Sequence, residues 1–212
     1  MAHYDLEEQE QLDTLKTWWN MHGNLVTGVI TVFCLVVVAW QGWNWYQRSQ
    51  ATQASAIYAV LEQAVAAGNA QKTKSAAGEL AEKFGRTPYA SLGALLAAKQ
   101  SFEAGDLKTA KAQLAWVADN GKDEIKDLAS LRLAAVLLDE KAYDEALKQL
   151  EAAHATVFDG RFLELKGDVL LAQGKKAEAR TAYRLALEKN TGKLGAGREL
   201  LQQKLDSLGE AA

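Results

Sequence analysis

A chain of 212 residues has room for one ordinary domain with an accessory segment, or for two very small domains. Its formal net charge of −3, with no concentrated basic face, gives no reason to expect a nucleic-acid partner. Cys34 is the sole cysteine and can close no internal disulfide, while His3, His22 and His154 are too scattered to form a Cys/His metal site.

The chain opens acidic, with Asp5, Glu7, Glu8, Glu10 and Asp13 against Lys16 alone, and the remainder is nearly neutral. The 25 residues 23–47 then contain no Asp, Glu, Lys or Arg. As a helix, Leu25 to Trp45 would span about 30 Å, the thickness of a bilayer hydrocarbon core. Trp18 and Trp19 precede the run, and Trp40, Trp43, Trp45 and Tyr46 end it, which reads as an aromatic belt at each membrane face. A soluble core helix of this length would have to turn a polar face to water. A cleaved signal peptide would start basic and carry a shorter apolar centre. Ala54-Ser55-Ala56 imitates a cleavage site, but bulky aromatic residues stand between it and the apolar centre. The expected organisation is therefore a tail over 1–22, a transmembrane helix over 23–47 and a helical domain over 48–212. Lys16 and Arg48 balance across the span, so the positive-inside rule leaves its orientation undecided.

Beyond Gln47 the chain is rich in Ala, Leu, Gln, Lys and Glu, with Pro88 its only proline. Apolar residues recur at helical spacing and no period-two alternation is sustained, so this part is all-helical. No linker divides it from the apolar run, and the spanning helix can continue through Ala51 to Ala67. The segments AAGNAQKT, EAGDLKTA, DEKAYDEA and LAQGKKAEA align on Gly68, Gly105, Lys141 and Gly174, at spacings close to the 34-residue tetratricopeptide period. In the last unit Gly167, Ala179, Tyr183 and Ala186 surround the turn. In the preceding unit Tyr143, Ala146, Leu150 and Ala153 fall into register, with Ala134 in place of the earlier glycine, and Gly105, Ala110 and Leu114 give a weaker second unit. Small residues at these positions let the two helices of a hairpin approach, and Tyr or Leu fills the space between hairpins. Phe84-Gly85 marks a helix end, Thr87-Pro88 a capped start, and Asp106 and Asp144 can cap the second helices of their hairpins. Leu201, Leu205 and Leu208 place a capping helix over Arg198 to Leu208. The predicted class is all-α: one N-terminal transmembrane helix, then a tetratricopeptide-like α-solenoid of about four hairpins and a C-terminal capping helix.

Neither a phosphate loop, nor a nucleophile elbow, nor a His–carboxylate pair at catalytic spacing is present, and the sequence gives no motif for an enzyme or for any cofactor. Carboxylates clustered at turns read as solvated faces, His154 as a partly exposed filler on a helix, and Cys34 as facing lipid or a neighbouring helix. The repeat register instead points to a protein-binding groove lined by the first helices: Leu92, Leu95, Lys99 and Phe102, then Leu131, Ala135 and Leu138, then Arg161, Glu164, Asp168 and Leu171. Its first two sets are mostly apolar and suit an extended or helical polypeptide with apolar anchors. The alternative is that these side chains pack against the adjacent hairpin.

The tail YDLEEQEQLDTLKTWWN leading into the span, the AIYAVLEQAVAAGNAQKT segment after it and the hairpins beyond resemble, over essentially the full chain, the bacterial YfgM family, the ancillary subunits of the SecYEG translocon. That resemblance implies a non-enzymatic protein of the bacterial inner membrane, single-pass, with a cytoplasmic N-terminus and a periplasmic repeat domain. Its implied partners are the lipid bilayer, SecYEG, the membrane-anchored chaperone PpiD and translocating or periplasmic polypeptides, which it helps pass to periplasmic chaperones. Tyr4 to Lys16 would carry a cytoplasmic link to envelope-stress regulation. The other function class is a membrane-tethered adaptor for a different envelope assembly, such as cell-wall synthesis.

Overall fold

The structure is a computed structural model and describes residues 2–189 and 195–209. The chain divides into two compact units, one reaching Gln50 and the other starting at Ala51. Helix α1 (Ala2–Ala66) supplies the described part of the first unit and the opening helix of the second.

In the first unit the apolar run is exposed among the described residues. Leu25, Phe33 and Val38 remain 67%, 67% and 68% exposed. Hydrocarbon, rather than water, matches such a surface. Thr31 donates its hydroxyl to the Thr27 carbonyl at 2.8 Å, so this polar group is satisfied inside the helix. Among the described residues, α1 is the one helix long and apolar enough to cross a membrane. Cys34 is exposed on it.

The second unit is a row of helical hairpins. Ala54 and Leu61 of α1 are buried with Ala76, Ala77 and Leu80 of α2 (Ala70–Phe84). Hairpins α3 (Pro88–Glu103) with α4 (Leu107–Asn120), α5 (Asp123–Asp139) with α6 (Tyr143–Leu150), and α7 (Asp159–Ala172) with α8 (Lys176–Lys189) follow, and α9 (Gly195–Ser207) ends the row. The expected all-helical repeat architecture with a final helix is what forms.

All four aligned turn residues have a left-handed backbone, with φ +65° at Gly68, +80° at Gly105, +63° at Lys141 and +80° at Gly174. Each turn closes with the same two bonds. In the third, Lys141 N–H reaches the Leu138 carbonyl at 2.9 Å and Ala142 N–H the Leu137 carbonyl at 2.8 Å; in the fourth, Gly174 and Lys175 repeat this to Leu171 and Leu170. This Schellman arrangement satisfies carbonyls that the helix end would orphan. Lys141 adopts it despite carrying a Cβ, so Lys141→Gly is expected to raise stability by about 0.5–1 kcal/mol, after the entropy glycine adds to the unfolded chain is deducted. Chemical denaturation checks this, and a stability drop would show that the lysine side chain contributes more than its backbone costs.

The helices of each hairpin meet through one small and one large residue. Seven residues before and nine after the turn stand Ala98 and Leu114, Ala134 and Leu150, and Gly167 and Tyr183, all buried. A Cβ on Gly167 would lie 2.5 Å from Tyr183 Cδ1, so only glycine leaves room for that ring. Tyr183 thus fills space inside its own hairpin rather than between hairpins. The first hairpin reverses the pair, with Leu61 on the first helix and Ala77 on the second, both fully buried.

Local expectations fare unevenly. Asp106 does cap α4, accepting from the Thr109 N–H at 3.0 Å, and Asn69 caps α2 in the same way through the Lys72 N–H. Asp144 does not cap α6: Ala142 occupies the cap position, and Asp144 Oδ1 accepts from Gln173 Nε2 of the next hairpin at 3.3 Å. Thr87 precedes Pro88 in the N-cap position as expected, but its buried hydroxyl donates at 2.8 Å back to the Phe84 carbonyl at the end of α2 and makes no capping bond to α3. Ala153 is exposed beyond the end of α6 rather than in helical register. Asp127, buried on α5, takes the Ala155 N–H at 2.9 Å and fixes the chain in a non-helical course there. His154 lies on that course, not on a helix, stacked over Phe162 with ring centres 3.7 Å apart and Nε2 3.4 Å from Asp159. Helix α9 begins at Gly195, three residues ahead of the expected start.

Candidate protein-binding groove

Helices α3 and α5 face each other across a pocket of about 260 Å³. The short side chains of Ala98 and Ala135 take up little of its lining, and Leu95, Leu114 and Val136 make that lining apolar. Phe102 forms one edge and is 42% exposed. An aromatic ring that lines an apolar pocket and is exposed to this extent offers contact area at little conformational cost. Two cations, Lys99 on α3 and Arg132 on α5, complete the lining. Lys99 has only a long, exposed approach to Glu103 at 3.7 Å, and Arg132 makes no ion pair among the described residues.

Of the eleven residues projected onto the groove, the pocket thus gathers Leu95, Lys99, Phe102 and Ala135. Leu95 is 5% exposed and acts as wall rather than as projecting contact. Leu92 is exposed on α3 and outside the lining. Leu131 and Leu138 are half-buried and pack on the central core cluster.

The charged set sits elsewhere and already has a partner within the chain. Lys204 of α9 places its ammonium 2.8 Å from both Asp168 oxygens and 3.1 Å from Glu164 Oε1. The Tyr183 hydroxyl donates to Asp168 Oδ1 at 2.7 Å, and Lys204 lies 5.9 Å above the Tyr183 ring centre. Arg161 is exposed and approaches Glu164 at 3.7 Å. Leu171 packs on the cluster that contains fully buried Leu201. Burial, then the hydrogen bond and charge of Asp168, then the charge of Glu164 push the Tyr183 phenol far above its ordinary pKa. Burial acts to lower Lys204, but Asp168 and then Glu164 outweigh it and hold its pKa above the lysine norm.

A tetratricopeptide repeat-like domain model matches residues 16–210. The chain is 36% identical to a Neisseria gonorrhoeae protein named ancillary SecYEG translocon subunit, over 96% of this chain and 98% of that one. Proteins of the same name from Haemophilus influenzae and Escherichia coli are 30% and 28% identical, over 86% and 95% of this chain and 90% and 96% of theirs. The chain belongs to the YfgM family. Membership covers the tail-proximal residues, the apolar run and the hairpins alike, as the sequence led one to expect.

The repeat register did not include Arg132, Ala98, Leu114 and Val136, which also line this pocket. Arg132 was legible in principle, since it lies one helical turn before Ala135 on α5 and so shares its face.

Proposed function

We propose that the chain is a non-enzymatic ancillary subunit of the SecYEG translocon, held in the bacterial inner membrane by the single span in α1. Its hairpin domain faces the periplasm, and its N-terminal tail faces the cytoplasm. There the domain binds the membrane-anchored chaperone PpiD and helps pass emerging polypeptides to periplasmic chaperones. Full-length similarity to relatives that bear the translocon-subunit name is the observation that carries this reading. The partly exposed Phe102 above an apolar pocket supports a role in holding polypeptide.

A photoreactive phenylalanine analogue at position 102, activated in intact membranes, is expected to capture PpiD or translocating chains. Capture of cell-wall synthesis proteins instead would move the chain to another envelope assembly. For orientation, a reporter active only outside the cytoplasm should work when fused after Ala212 and fail when fused before Met1. The reverse pattern removes the periplasmic role altogether.

A further inference from the structure

The pocket between α3 and α5 combines an apolar interior with two side chains of one sign. Lys99 and Arg132 supply donors only, and no side chain in the lining offers a hydrogen-bond acceptor. An extended peptide entering it would bring backbone N–H groups that the lining side chains cannot satisfy, at a cost comparable to a lost hydrogen bond for each one buried. A helix brings no such demand, because its backbone bonds are internal. An apolar side chain on that helix would fill the hollow beneath Phe102. Carboxylates three or four residues away fall on the same helix face and can reach the cations at the rim. Arg132, with no ion-pair partner among the described residues, gives up nothing to receive one.

From this geometry we infer that the pocket docks an acidic amphipathic helix of a partner polypeptide, anchored by one apolar side chain under Phe102 and by carboxylates on Arg132 and Lys99. The inference rests on the groove reading above and narrows its ligand to helical, acidic segments. Exposed rim charges act mainly on selectivity, so the sign of the helix decides which segments stay.

The test uses the full chain in nanodiscs of zwitterionic phosphatidylcholine, so that lipid charge does not sort the probes. Fluorescein-labelled amphipathic peptides of about 18 residues, long enough to hold a helix in water, are compared by anisotropy. One carries Leu anchors with Glu, a second replaces Glu by Lys, and a third keeps Glu but has central prolines. The Glu peptide is expected to bind at least about ten-fold more tightly than either other. Arg132→Glu, an exposed change that should leave the melting temperature in place, leaves Lys99 balanced by one carboxylate and is expected to remove the preference for the Glu peptide over the Lys peptide. In the parent chain, equal binding of the Glu and Lys peptides, equal binding of the proline peptide or no binding of any overturns the inference, as does an order indifferent to Arg132→Glu. Equal binding that Phe102→Ser abolishes would end the charge selectivity proposed here while leaving the polypeptide groove standing.

Discussion

Ala179→Asp is expected to unfold the last hairpin, and Ala177→Asp, two residues away on the same helix, to leave it intact. Ala179 is fully buried five residues after the α7–α8 turn, a position filled by Ala110 and Ala146 in the two preceding hairpins, both also fully buried. A carboxylate at this fully buried position would lose its hydration, which costs about 3–5 kcal/mol. That is a large share of the 5–15 kcal/mol that typically holds a domain together. Ala177 is exposed in the first turn of α8, where a negative charge interacts favourably with the helix dipole. Because each hairpin leans only on its neighbours, the loss should be local. Hydrogen exchange is expected to show protection gone from α7, α8 and α9 in Ala179→Asp while α3 and α4 keep theirs. Retained protection in α8 would mean that the helix can rotate to release the charge, and that the small-residue register carries less than its burial implies.

That register was readable because tetratricopeptide-like hairpins repeat a backbone requirement as well as a residue. Gly68, Gly105 and Gly174 align with Lys141 as turn positions, and the structure gives all four a left-handed backbone although nothing about a lysine suggests it. The first hairpin was harder to see since its packing pair is exchanged, Leu61 for the usual small residue and Ala77 for the usual large one. The volume between the helices is nearly kept, so the fold persists while the sequence pattern inverts. What failed depended on contacts distant in sequence. Asp127 accepts the Ala155 N–H from 28 residues away and holds the chain beyond α6 off the helical course. The charged residues Glu164 and Asp168 looked like groove because their helix face is right, yet the face is shared with Lys204, 40 and 36 residues further on. The α3–α5 pocket emerged only in part, as its width depends on how far apart two helices stand, which periodicity does not encode.

Lys204 is the second position where one change should have a large effect, and the effect bears on the groove. Its ammonium sits between Glu164 and Asp168, and α9 brings Leu201 into full burial beside Leu170 and Tyr183. Lys204→Glu would gather three carboxylates where one cation now bridges two. A fully buried pair broken this way costs about 3–5 kcal/mol; with the Lys204 side chain 27% exposed, solvent screening brings the expectation to about 2–3 kcal/mol. Detachment of α9 is the expected outcome, read as lost exchange protection from Leu200 to Ser207. The alkaline limb of stability follows from the same contacts. Both Lys204 and Tyr183 have pKa values raised in the folded chain, so their contribution is complete below the ordinary values near 10 and fades as pH climbs through the raised ones. Lys204→Met should weaken the seat of α9 already at neutral pH and shrink the alkaline loss to the part owed to Tyr183. An alkaline transition unchanged in Lys204→Met would assign the whole of it to the phenol. With α9 detached, Glu164 and Asp168 would stand bare at one end of the domain, adding negative charge to the field that an acidic helix meets on approach. Lys204→Glu is therefore expected to slow association of the Glu peptide and to leave the Lys peptide unhindered, although position 204 lies outside the α3–α5 pocket.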